Sequence, residues 1–112
     1  MKLLSTPEPF DDTPWRPAAD VYRCPEGWLV KFDLAGVCPE DVEVQVSHRG
    51  LVVSGIRRDW AIPAGHCFHS MEISYNRFHR CVELPCDPQR AQVSTDYRDG
   101  MLLVRLRTGS GR

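Results

Sequence analysis

The side chains with the most chemistry to offer are five cysteines, Cys24, Cys38, Cys67, Cys81 and Cys86, and four histidines. Three of them, His66, Cys67 and His69, sit close together, and His79 and Cys81 follow a short way on. Facing each other across an antiparallel pair, at ~5 Å between opposed residues, the two groups could share a tetrahedral metal ion. No Cys-x-x-Cys or His-x-x-x-His spacing accompanies them. The favoured reading is therefore that Cys67 and Cys81 are small buried hydrophobes, that the histidines lie on the surface, and that no metal or other cofactor is bound. Cys24, Cys38 and Cys86 stand beside Pro25, Pro39 and Pro85 in turns, where a thiol can be exposed; only Cys24, next to Arg23, has the basic neighbour in sequence that would favour a thiolate. There is no phosphate-binding glycine loop and no Gly-x-Ser-x-Gly elbow, and the acids fall mainly at turns or on outward strand faces, so an enzyme is not expected.

These residues must be held by a single domain, because 112 residues leave no room for two. The 14 basic and 15 acidic residues are scattered, with a net charge of −1, so a nucleic-acid partner is not expected. No stretch approaches the ~20 apolar residues of a membrane span, and the apolar start Leu3-Leu4 stops at once before Pro7 and Pro9. With no export signal and an odd number of cysteines, the expectation is reduced thiols in the cytoplasm.

Along the chain, short alternating runs are separated by turn residues. Residues 1–18 hold Pro7, Pro9, Pro14 and Pro17 and read as an extended arm anchored by Trp15. Val21-Tyr22 is a short strand candidate. In residues 28–34, Trp28, Val30, Phe32 and Leu34 share one face opposite Lys31 and Asp33. Val42, Val44 and Val46 give the cleanest period of two, and His48-Arg49-Gly50 connects them to a return strand over residues 51–57, with Gly50 suited to a positive φ. Residues 67–73 and 78–84 read as a second hairpin, and 91–97 and 101–106 as a third around the type I′ signal Asp99-Gly100. About eight strands and no helix longer than a turn imply an all-β fold, a two-sheet antiparallel immunoglobulin-like sandwich. The one long interruption is residues 58–69, with Trp60, Ile62 and Pro63 inside it, and a break of that length usually has a role.

Six motifs in register now carry a resemblance: Trp15-x-Pro17-x-x-Asp20-Val21-Tyr22; Leu34-Ala35-Gly36-Val37 with Glu40-Asp41-Val42; Leu51-x-Val53-Ser54-Gly55-x-Arg57; Glu72-x-Ser74-Tyr75; Phe78-His79-Arg80 running into Leu84-Pro85; and Tyr97-x-Asp99-Gly100-x-Leu102. Over about residues 15–107 the chain resembles the alpha-crystallin domain of the small heat-shock proteins. The resemblance implies an ATP-independent holdase that binds non-native client proteins and keeps them from aggregating. Residues 1–14 would be a short flexible arm, 15–107 the sandwich, and 108–112 a disordered tail.

In the bacterial and plant branch of that family, the loop matching residues 58–69 crosses to a second subunit and pairs with the strand matching residues 20–23. Trp60, Ile62 and Pro63 would then be the swapping elements, Val21 and Tyr22 the receiving edge, and Arg80 a structural residue at the sheet or dimer interface. Val42, Val44 and Val46, with Phe78, Val82 and Leu84, would form a groove for peptide or client, provided that their strands neighbour each other at a sheet edge. The chain departs from the pattern in its short arm and in lacking an Ile-x-Ile/Val motif after Leu106. A homodimer is therefore expected, with hetero-assembly alongside a longer paralogue as an extension. The alternatives are a co-chaperone-type adaptor on the same sandwich and a thiol- or metal-responsive variant.

Overall fold

The alternating runs become seven strands among the described residues, which in this computed structural model are 14–59 and 62–109. They are β1 (Ala19–Cys24), β2 (Gly27–Asp33), β3 (Val42–Val46), β4 (Gly50–Ile56), β5 (Arg77–Glu83), β6 (Gln92–Arg98) and β7 (Met101–Arg107). Every pairing between them is antiparallel. One sheet has the order β1-β2-β7-β6 and the other β3-β4-β5. The fold is thus the expected two-sheet β-sandwich.

Alternation explains which face goes inside. In β2, Val30 and Phe32 are fully buried; in β7, Leu102, Val104 and Leu106 lie opposite them, while Arg105 and Arg107 point to solvent. Leu51 and Val53 of β4 and Phe78 and Val82 of β5 close the core from the other sheet. The β6–β7 turn uses Asp99 (φ 54°) and Gly100 (φ 78°), the paired positive φ values that a type I′ hairpin demands. Tyr97, just before that turn, places its hydroxyl 2.8 Å from the Leu34 carbonyl and 2.6 Å from that of Val37, tying the four-stranded sheet to the segment leading into β3. Burial at this site pushes the phenol above its ordinary value.

Three expectations are corrected. Residues 67–73 form no strand, and β5 pairs instead with β4, in the register Leu51↔Val82 and Val53↔Arg80. β4 holds one edge of β5, and near the start of the other edge Trp15 bridges to Phe78, with Trp15 N–H donating to the Arg77 carbonyl (3.1 Å) and His79 N–H to that of Trp15 (3.2 Å). The interruption consequently runs from Arg57 to Asn76 rather than over 58–69. Gly50, finally, is not among the positive-φ residues. Its lack of a side chain serves close approach, since a Cβ there would lie 2.0 Å from the Val82 carbonyl oxygen.

Candidate functional site

Two kinds of surface stand out once the core is accounted for: the long arm between β4 and β5, and the open edges of the sheets. The arm is fastened at its base. Arg57 N–H donates to the Asn76 carbonyl (3.0 Å), and the Arg57 guanidinium donates to the carbonyls of Ser74 (2.8 Å) and Ala35 (3.2 Å). Arg58 pairs with Asp41 at 3.1 Å. Beyond this base, residues 62–75 are all exposed, with Ile62 and Phe68 each 59% accessible and Ile73 58%. Ile62, Phe68, Met71, Ile73 and Tyr75 line an open cleft of about 770 Å³. Pro63 is exposed, its carbonyl accepting from His66 N–H (3.2 Å), and Gly65 turns the chain at φ 88°. Trp60 lies outside the described residues, as do residues 1–13 and 110–112 of the expected arm and tail. Large apolar side chains gathered in the open in this way are uncommon on a folded surface.

β1 is one edge of the four-stranded sheet, and it leaves Val21 and Tyr22 exposed. Lys31 lies 5.2 Å above the Tyr22 ring, and its hydrogen bond with the phenol raises the lysine above its ordinary value. Arg80 is half-buried and donates to the Pro17 carbonyl (3.1 Å) and to its neighbour Cys81 (3.3 Å). Within this subunit it therefore straps the segment ahead of β1 to β5.

The expected groove is only partly assembled. β3 is an edge strand whose Val42 and Val44 pack half-buried against the core while Val46 is exposed. Phe78, Val82 and Leu84, however, are core residues (1%, 7% and 8% accessible), and β4 separates β5 from β3. The premise that these two strands adjoin at an edge fails, because both pair with β4 on opposite sides. Sheet order indicates the partner edge. Trp15 lies on β5 and the chain reaches β1 four residues later, so β1 and β5 share one flank of the sandwich and β3 and β6 share the other. On that flank the exposed valine of β6 is Val93, which pairs with Leu106 and so faces inward beyond the cover of the second sheet. The alternation of Val93, Thr95 and Tyr97 was the signal for it in the sequence.

Without the second hairpin, His66, Cys67 and His69 do not face His79 and Cys81, and among the described residues no three metal-ligating side chains come together. Cys67 and Cys81 are exposed rather than buried, as is Cys38. Cys81 points outward because its neighbours Arg80 and Val82 are the residues of β5 that turn to the core side. Burial pushes the half-buried Cys86 thiol up, which makes it a poorer nucleophile at neutral pH.

The sequence model of the Hsp20/alpha crystallin family matches residues 20–110. The 16.9 kDa class I heat shock protein 1 of Triticum aestivum is 36% identical over 88 residues, which are 78% of this chain and 58% of that protein. Spore protein SP21 of Stigmatella aurantiaca is 31% identical over 90 residues, 80% of this chain and 53% of the relative. The chain thus spans about half the length of these curated relatives. Among solved structures, heat shock protein 16.0 from Schizosaccharomyces pombe superposes with a TM-score of 0.76 over 88% of this chain and 91% of its own, at 24% identity, a likeness of fold.

Proposed function

This chain belongs to the Hsp20/alpha crystallin family, and from that membership we propose that it is an ATP-independent holdase which captures partly unfolded proteins and works as an arm-exchanged dimer. The observation that carries the reading is the arm of residues 57–76, which keeps Ile62, Phe68, Met71 and Ile73 in water. A segment with exposed apolar side chains and, among the described residues, no strand partner in its own subunit is suited to pair with an open edge in another. β1, with Val21 and Tyr22 exposed, offers such an edge, and Trp60, Ile62 and Pro63 are the arm residues assigned to it. Arg80 supports the receiving strand through Pro17. Clients would bind as extended apolar segments along the flank formed by Val42, Val44 and Val46 of β3, with Val93 of β6 as the opposite wall in place of Phe78, Val82 and Leu84.

The decisive experiment is suppression of heat-induced light scattering from a thermolabile enzyme without ATP. Full suppression at a few-fold molar excess is expected, and none would sink the holdase reading. Deleting residues 59–65 should convert a sedimenting dimer to a monomer, whereas an unchanged mass removes the exchange. An Ile-x-Ile peptide should bind by calorimetry and lose affinity with Val46→Glu, a position exposed enough to take the charge without unfolding the sheet.

A further inference from the structure

We propose that Arg57 and Trp15 form a clamp that sets the direction in which the arm leaves the sandwich, so that attachment of the segment at Trp15 and self-association through the arm are coupled. The proposal rests on the arm-exchange reading above and specifies how that exchange is controlled.

Arg57 is the first residue after β4, and its guanidinium joins three segments far apart in sequence. The Cζ carbon stands 4.0 Å from the centroid of the Trp15 ring and 5.9 Å from that of Tyr75, while Nε and Nη1 donate to Ser74 and Ala35. A planar, delocalised cation can stack and donate in plane together; a lysine ammonium in the same place would keep the charge and lose the geometry. Trp15 completes the arrangement. Its indole N–H donates to the Asn76 carbonyl (3.3 Å), the same oxygen that accepts Arg57 N–H (3.0 Å), and its ring stands 5.3 Å from that of Phe78. Asn76 is the last residue before β5. One tryptophan therefore contacts both ends of the arm and the first turn of the strand that follows.

The consequence is mechanical. Residues 62–75 are exposed along their length, and the hydrogen bonds that Arg57 makes to Ser74, Asn76 and Ala35 lie at the arm's base, so a small rotation there swings the apolar tip widely. Releasing Trp15 removes a ring from Arg57 and a donor from Asn76 at once. By reciprocity, an arm held in a second subunit must tighten the hold on Trp15, and anything that lifts the N-terminal segment must weaken the dimer by the same factor.

The test compares Arg57→Lys, Trp15→Ala and Trp15→Phe in the full chain by sedimentation equilibrium and by amide exchange at Arg57. Arg57→Lys is expected to weaken self-association about tenfold while the dilute protein keeps a single cooperative thermal transition. Trp15→Ala is expected to speed exchange of the Arg57 amide about tenfold, and Trp15→Phe, which keeps a ring but loses the indole donor, by a smaller factor. Combining Arg57→Lys with Trp15→Ala should cost little more than either alone, as for two halves of one clamp. Self-association within about twofold of the parent in Arg57→Lys, or an unchanged Arg57 amide in Trp15→Ala, overturns the clamp. If deletion of residues 59–65 leaves the dimer intact, the exchange reading fails instead, and the Arg57 amide alone then decides the clamp.

Discussion

Strand β4 and the arm that follows it are consecutive in the chain and both rich in large apolar side chains, yet they end in opposite environments. Leu51 and Val53 are 1% and 0% accessible, whereas Ile62 and Phe68 are each 59%. Hydrophobicity does not separate them. In β4, Leu51 and Val53 fall on the same face and turn to the core, and the strand has a hydrogen-bonding partner on each side in β3 and β5. The arm is broken by Pro63 and by Gly65 at positive φ, and its residues 67–73 place polar and apolar types on both faces. Entering the core would strand its backbone groups away from water without partners. Burial is thus decided by whether the backbone can be paired, and an apolar segment left unpaired stays on the surface.

That contrast can be attacked from the buried side first. Phe78→Ala removes a ring that is 1% accessible and should cost ~3–5 kcal/mol, lowering the melting temperature by more than about 12 °C in a calorimetric scan. A drop of a few degrees would mean that the core tolerates a cavity in a way the packing does not suggest. Tyr97→Phe deletes the hydroxyl that reaches Leu34 and Val37, for ~1–2 kcal/mol in urea titrations. The phenol's raised value adds a sign. The folded state holds the proton more tightly than the unfolded chain, so the Tyr97 contribution is complete below the ordinary value of 10.0 and is lost as pH rises toward the folded value. The parent should accordingly lose more stability than Tyr97→Phe between neutral and strongly alkaline pH; parallel profiles would refute this.

On the exposed side, effects on stability should nearly vanish while effects on association remain. Phe68→Ser in the arm should change the unfolding free energy of the monomer by less than ~0.5 kcal/mol, yet shift the sedimentation profile toward monomer. A large loss of stability would show that the arm belongs to the fold after all. The smallest effect is expected from Glu26→Gln, which removes the 2.9 Å pair with Arg107: both side chains are mostly in solvent, so a thermal melt should move by no more than ~0.5 kcal/mol.

Much of this was legible from residue order. Val30 and Phe32 alternate with Lys31 and Asp33, and Asp99-Gly100 admits little other than a tight hairpin, so β2 and the β6–β7 turn could be read directly. The arm announced itself by Pro63, Gly65 and the pause in alternation. Its far boundary did not, because the partial alternation of Cys67, His69, Met71 and Ile73 imitates a strand, and only the tertiary pairing, β5 with β4, shows that residues 67–73 join no sheet. The groove misled for a related reason. Phe78, Val82 and Leu84 have the same apolar pattern as Val42, Val44 and Val46, and pattern cannot say which strand is central and which is open.

The sequence by itself determined the all-β class, the inward faces, the tight turns and the place where the sandwich is interrupted, since each depends on a few neighbouring residues and the geometry of the backbone. Sheet order, the pairing of β4 with β5, the gathering of Trp15, Ala35, Ser74 and Asn76 around Arg57, and the choice of β6 over β5 to flank β3 were decided by tertiary structure. Those features arise from competition among distant segments for the same strand edges, and no local stretch contains the outcome.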